Sequence, residues 1–153
     1  MKLILSILVL ILASSGVAHA GDKDADVRTT VQAFYKNFNE GFIGPADFAT
    51  EDWNHINPYG GRTQGREATL KDVRRVHQTF LKDAKANIES MDVRFATDDV
   101  AVVTVIAVSS PFVSPDGTKH DVLHGIGTFI VVKRGDRWLI MQDQNTTVMA
   151  PPR

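Results

Sequence analysis

Cysteine is absent from the 153 residues of this chain. That excludes disulfide staples, thiolate nucleophiles, thiolate metal sites and iron–sulfur clusters. Neither sign of charge dominates: 17 Lys and Arg stand against 18 Asp and Glu, for a formal net charge of −1. A nucleic-acid binder carries a basic surplus for the phosphates, so no nucleic-acid partner is implied. No glycine-rich dinucleotide fingerprint occurs, and nothing implies a flavin or any other cofactor. Internal repeats and low-complexity tracts are lacking too. The longest apolar run, Leu3 to Leu12, is broken only by Ser6. It falls short of the roughly 20 apolar residues that a membrane span needs.

What that run does resemble is an export signal. Lys2 precedes it, and small residues follow it to Ala18-His19-Ala20, an A-x-A pattern. Residues 1–20 therefore read as a secretory signal peptide, with no membrane attachment after cleavage and a periplasmic or secreted product. Residues 21–148 read as one domain, long enough to bury a core without staples. Residues 149–153, with Pro151 and Pro152, read as a flexible tail, since proline cannot extend a strand ladder.

Asp22 to Glu40 has helical periodicity: Val27, Val31, Phe34 and Phe38 recur at three- and four-residue spacing, with Tyr35 beside them. Pro45 to Ala49 fits a short helix with Pro at its first position. Glu51 to Tyr59 reads as extended, Gly60-Gly61 as a turn, and Arg62 to Gln64 as a brief strand. A second long helix is expected from Arg66 to about Ala84, its stripe carrying Leu70, Val73, Val76, His77, Phe80 and Leu81. Strands then follow: Asn87–Thr97, the doubly apolar Val100–Val108, and Lys119–Lys133, the last with a bulge at Gly125 or Gly127. Helices segregated from an antiparallel sheet make the class α+β.

The final hairpin, Thr128 to Thr147, is the most informative stretch. Phe129–Val132 and Trp138–Met141 are apolar on both faces, implying cover on both sides. Gly135-Asp136 supplies the turn between them. The second arm then becomes polar at Gln142, Asp143, Gln144 and Asn145. Either this end leaves the core for solvent or it lines a cavity.

Three stretches resemble the NTF2-like superfamily, most nearly the SgcJ/EcaC family with its SnoaL-like and DUF4440 relatives. They are Val31–Gly41 (VQAFYKNFNEG), Glu51–Ala68 (EDWNHINPYGGRTQGREA) and Arg137–Thr146 (RWLIMQDQNT). The resemblance implies an NTF2-like, cystatin-like cone: a curved antiparallel sheet of roughly four to six strands, two long helices and one short one. It also implies a pocket inside the cone and a homodimeric habit. Association-domain relatives often carry two histidines where this chain has Gln142 and Gln144, which places those glutamines in the pocket.

Several polar residues could serve such a pocket. Trp53, His55 and Asn57 alternate on one face of an extended segment. His55 titrates near neutrality and is a candidate general base. Asp143 is the competing candidate, if the face opposite Trp138 points inward. Tyr35 is the natural phenol donor; His77 and His124 complete the pocket set with Gln142 and Gln144. His120 and His124 are too far apart on one strand to share a metal, and no metal site is expected. Three functions fit: an exported protein binding a small, largely apolar molecule without turnover; an isomerase, dehydratase or cyclase using a His or Asp base; and a homodimeric association domain. Fold does not choose among them, and whether the chain is an enzyme stays open at this point.

Overall fold

The computed structural model describes residues 20–148, with side chains from residue 23. Residues 1–19 of the proposed signal peptide and the tail fall outside the described residues. Among the described residues two helices and eight strands follow one another as α1 (Ala20–Asn39), β1 (Ala49–Ile56), β2 (Arg62–Gln64), α2 (Arg66–His77), β3 (Ala86–Thr97), β4 (Val100–Ser109), β5 (Phe112–Val113), β6 (Lys119–His120), β7 (Leu123–Arg134) and β8 (Arg137–Thr147). Six strands form one curved sheet in the order β2-β1-β8-β7-β4-β3, and β5 and β6 form a separate hairpin. The α+β class is as expected.

Helix α1 lies along the sheet because its apolar residues face it and its polar residues grip the strand edges. Val27, Val31, Phe34 and Tyr35 are buried. Arg28 Nη1 donates to the Met91 carbonyl at 2.9 Å, Thr30 Oγ1 to that of Trp138 at 3.0 Å, and Asn39 Nδ2 to that of Ala86 at 3.0 Å. Alternate residues of β4, namely Ala101, Val103, Val105 and Ala107, meet the helices in the core. On the other face of the sheet burial is confined to the hairpin end, where Val132 is 3% exposed; farther along, Ile126 is 36% exposed.

Four details depart from the sequence reading. First, Pro45–Ala49 is not helical; the loop after α1 has positive φ at Phe42 (54°) and Ala46 (55°). Arg74 holds this loop, donating from Nε to the Phe42 carbonyl at 2.7 Å and from Nη2 to that of Gly44 at 2.8 Å. Second, α2 stops at His77 rather than Ala84. Beyond it the chain continues in turns: the Thr79 and Leu81 amides both donate to the Val76 carbonyl, at 3.1 and 3.3 Å. Third, the strand expected over 119–133 breaks into β6 and β7. Fourth, β1 runs parallel to β8, so the first strand of the chain sits beside the last.

The bulge is also elsewhere. Strand β7 pairs with β4 without interruption through Gly125 and Gly127. The irregularity lies on β8, where Val131 pairs with Ile140 but Ile130 pairs with Gln142, leaving Met141 as an extra residue. One extra residue swaps the two faces of everything beyond it. Trp138 and Ile140 point into the core, and past Met141 so does Asp143, fully buried. The turn before β8 is Gly135-Asp136, with Gly135 at φ 58° as a two-residue hairpin needs.

The core between α1 and β7–β8 is close-packed, with Ile140 and Phe129 fully buried. Ile140→Ala is expected to lower unfolding stability by about 2–5 kcal/mol. Urea denaturation followed by circular dichroism measures it. An unchanged midpoint would place Ile140 outside the core.

Candidate active site

Between the helices and the inner face of β4, β7 and β8 lies a cavity of about 230 Å³. Its walls are mostly hydrocarbon, contributed by Phe38, Phe42, Val73, Phe80, Ala107 and Leu123 among others. Among the described residues no lysine or arginine lines it. That volume suits a compact molecule, at the small end of ligand sites.

At one wall of the cavity the parallel pairing of β1 with β8 sets His55 opposite Asp143. The carboxylate of Asp143 has no exposed surface. Three donors satisfy it: Trp53 Nε1 at 2.7 Å on Oδ1, His55 Nδ1 at 2.8 Å on Oδ2, and Asn145 Nδ2 at 3.3 Å on Oδ2. Because Nδ1 donates to the carboxylate, the neutral ring keeps its lone pair on Nε2. That nitrogen has no protein partner among the described residues, and the ring lines the cavity. A dry pocket thus presents an oriented, hydrogen-bond-accepting imidazole.

Burial alone would pull the His55 pKa down. The hydrogen bond His55 donates to Asp143, the negative charge of Asp143 and that of Asp72 together outweigh burial, and the net shift is upward. Tyr35 also faces the cavity. Burial, with the Asp143 charge adding to it, raises its pKa far beyond the usual phenol range, so it stays a donor at any physiological pH. His77 behaves oppositely: burial and then the Lys85 charge lower its pKa, opposed by a hydrogen bond to the Leu81 backbone. Its ring stands edge-on to Phe38, with centroids 4.6 Å apart.

The remaining candidates are scattered. Asn57 lines the cavity, its Oδ1 accepting from the Tyr59 and Gly61 amides at 2.9 Å each. His124 lines its rim, half exposed, with Nε2 3.4 Å from Glu89. Trp53 does not reach the cavity; it is fully buried behind His55 and anchors Asp143. Gln142 and Gln144 are not in the pocket, which corrects the expectation drawn from the resemblance. The bulge at Met141 turns them to the outer face, where Gln142 Oε1 accepts from Asn54 Nδ2 at 2.8 Å. His55 and Asp143, considered as rival bases, are partners. Asn145 and Asp72 went unassigned in the sequence. Asn145 was legible only through its two-residue spacing from Asp143, and Asp72 only through its place on the α2 turn that faces β1.

No family model matches this sequence, and no curated protein matches it. Solved structures do. A protein from Caulobacter vibrioides with a cystatin-like fold superposes with a TM-score of 0.78, covering 84% of this chain and 92% of its own at 22% identity. This chain has the cystatin-like, NTF2-like fold. A ketosteroid isomerase-like protein from Erwinia carotovora atroseptica matches at TM-score 0.66 and 17% identity, over 82% of this chain and 96% of its own. Hexachlorocyclohexane dehydrochlorinase (LinA) type 2 matches at TM-score 0.70 and 13% identity, over 86% and 95%. At such identities the likeness is one of NTF2-like architecture, and function has to be argued from the site.

The two buried imidazoles give a direct check by proton NMR. His55 is expected to titrate above the ordinary value of about 6.5 and His77 below it. Asp143→Asn removes the hydrogen-bonded charge that does most to raise His55, leaving burial opposed only by Asp72, so its titration should move down from the wild-type position. The stability signs differ accordingly. The His55 pair stabilises fully below about pH 6.5 and loses that contribution as pH rises through the raised folded value. Neutral His77 contributes above about pH 6.5 and loses its contribution as pH falls towards the folded value. Unshifted titrations for both rings would contradict the geometry.

Proposed function

We propose that this chain is an exported NTF2-like protein of the SgcJ/EcaC and SnoaL-like kind. It takes a small, uncharged, largely apolar molecule into its cone and moves a proton on it. The observation that carries this reading is the His55–Asp143 hydrogen bond at the wall of an apolar cavity. Trp53 alone would tie β1 to Asp143; the further pairing with a histidine whose free nitrogen faces the cavity is what proton transfer uses and mere storage of a ligand does not. The acid–base alternative therefore stands ahead of binding without turnover.

The chemistry follows from the atoms present. His55 Nε2 accepts a proton from a carbon made acidic by a neighbouring carbonyl, or from one beside a leaving group. The electron pair left on carbon forms a double bond. It either expels the leaving group or spreads onto oxygen, and in the latter case the proton returns at another carbon. Asp143 stabilises the imidazolium formed meanwhile and keeps the ring in place. Tyr35, held protonated, is the donor available to a developing oxygen charge.

Homodimerisation is a compatible second reading, supported by the exposed part of the sheet's outer face around Ile126. There Val102 pairs with Ile130 and Ile106 with Ile126, an apolar row that a second copy could bury.

Deuterium uptake from heavy water tests the main reading before a substrate is identified. The protein is incubated with a panel of neutral cyclic ketones, and exchange at carbon is followed by NMR. At least one member should exchange faster with the wild-type protein. His55→Gln should slow that exchange by about 10²–10⁴-fold with the fold intact. Exchange that is unaltered in His55→Gln would remove the proton-transfer role.

A further inference from the structure

Strand β7 presents no side chain to the cavity at two successive inward positions, Gly125 and Gly127. Backbone shape does not account for either. Neither has a positive φ, and both pair regularly on each side: Gly125 opposite Ala107 and Thr147, Gly127 opposite Val105 and Asn145. Glycine inside a strand weakens it, so a reason has to be found in what the missing Cβ would touch.

The two positions then separate. A Cβ at Gly127 would lie 2.8 Å from Phe129 Cε2 and 3.0 Å from the Tyr35 hydroxyl. Packing within the protein explains that glycine. A Cβ at Gly125 would meet only the Thr146 carbonyl oxygen, at 3.6 Å, an ordinary contact. Nothing in the protein demands its absence; what it would occupy is the cavity.

The surroundings say what the space suits. Ala107, beside Gly125 on β4, adds only a methyl group, so the sheet side of the cavity is low and bare there. The helical side carries the rings of Phe38 and Phe80. A shallow backbone floor under aromatic walls matches a thin molecule with a π-face better than a puckered one. The surroundings disfavour ions. Among the described residues no lysine or arginine lines the walls, and an anion would meet Asp72 and, behind His55, Asp143. A cation would be stripped of water against walls that are mostly hydrocarbon.

We propose that Gly125 is a specificity-determining residue, its bare backbone forming the floor of a slot for an uncharged, flat ring system. The inference rests on the reading of this cavity as a small-molecule site, and it adds the shape of the occupant.

The test uses 2-naphthol as a flat neutral probe and decahydro-2-naphthol as its puckered counterpart, titrated by calorimetry into wild type and Gly125→Ala. Thermal melting of both proteins is measured in parallel. Wild type should prefer 2-naphthol. Gly125→Ala should weaken that binding by about tenfold or more, since one methyl group in a tight pocket carries that much. Its melting temperature should be unchanged or higher, because a strand gains by replacing glycine. Unaltered 2-naphthol affinity in Gly125→Ala would overturn the inference and leave the small-molecule reading standing. So would a lowered melting temperature, which would give the glycine a structural task. Equal affinity of wild type for the two probes would overturn the flat-ligand assignment alone. Failure of wild type to take up either probe would remove the small-molecule reading for ring compounds, and this inference with it.

Discussion

A carboxylate sealed from water is the costliest group this small domain contains, and the architecture around Asp143 compensates it. Desolvating such an ion costs several kcal/mol unless its lone pairs find donors. Trp53, His55 and Asn145 supply them, at 2.7, 2.8 and 3.3 Å. Two of these donors come from β1 and the carboxylate from β8, so the interaction holds the first strand of the chain against the last. Removing a donor would leave part of a buried charge unsatisfied.

Two irregular features make that arrangement possible. Parallel pairing of β1 with β8 sets His55 opposite Asp143. The extra residue Met141 turns the polar end of β8 inward after Trp138 and Ile140 have already filled the core. Without the bulge, continued alternation would carry Gln142 and Gln144 inside and leave Asp143 on the outer face. A single residue of strand length thus separates a site with a buried base from one without. The hollow itself depends on residues that decline to fill it: Gly125 and Ala107 leave the sheet low where α1 and the end of α2 arch over it. A void in the core forfeits stability, and a domain keeps one where function uses it.

Much of this architecture could be read from the residues. The three- and four-residue spacing of Val27, Val31 and Phe34 announced α1, and the doubly apolar Val100–Val108 announced a central strand. His55 and Asp143 stood out as the two candidate bases. Their partnership did not, because β1 and β8 are separated by most of the domain and nothing local encodes parallel pairing between them. The bulge was equally hidden. It was expected at a glycine on β7, yet it falls at Met141, an ordinary residue whose neighbours alternate regularly on paper. The glutamines were misplaced for that reason. The end of α2 was misread because Phe80 and Leu81 continue its apolar stripe although the backbone there already runs in turns, with the Thr79 and Leu81 amides sharing the Val76 carbonyl.

The account turns on Asp143 pointing inward and holding Trp53. The chain has two tryptophans, so their indole N–H protons are two resolvable NMR signals, and Trp138 serves as an internal control for folding. Hydrogen exchange of both signals in wild type and Asp143→Ala measures the contact directly. The Trp53 proton should exchange slowly in wild type and move and lose protection in the variant, while that of Trp138 keeps its position. Two indole signals that Asp143→Ala leaves unchanged would contradict the account.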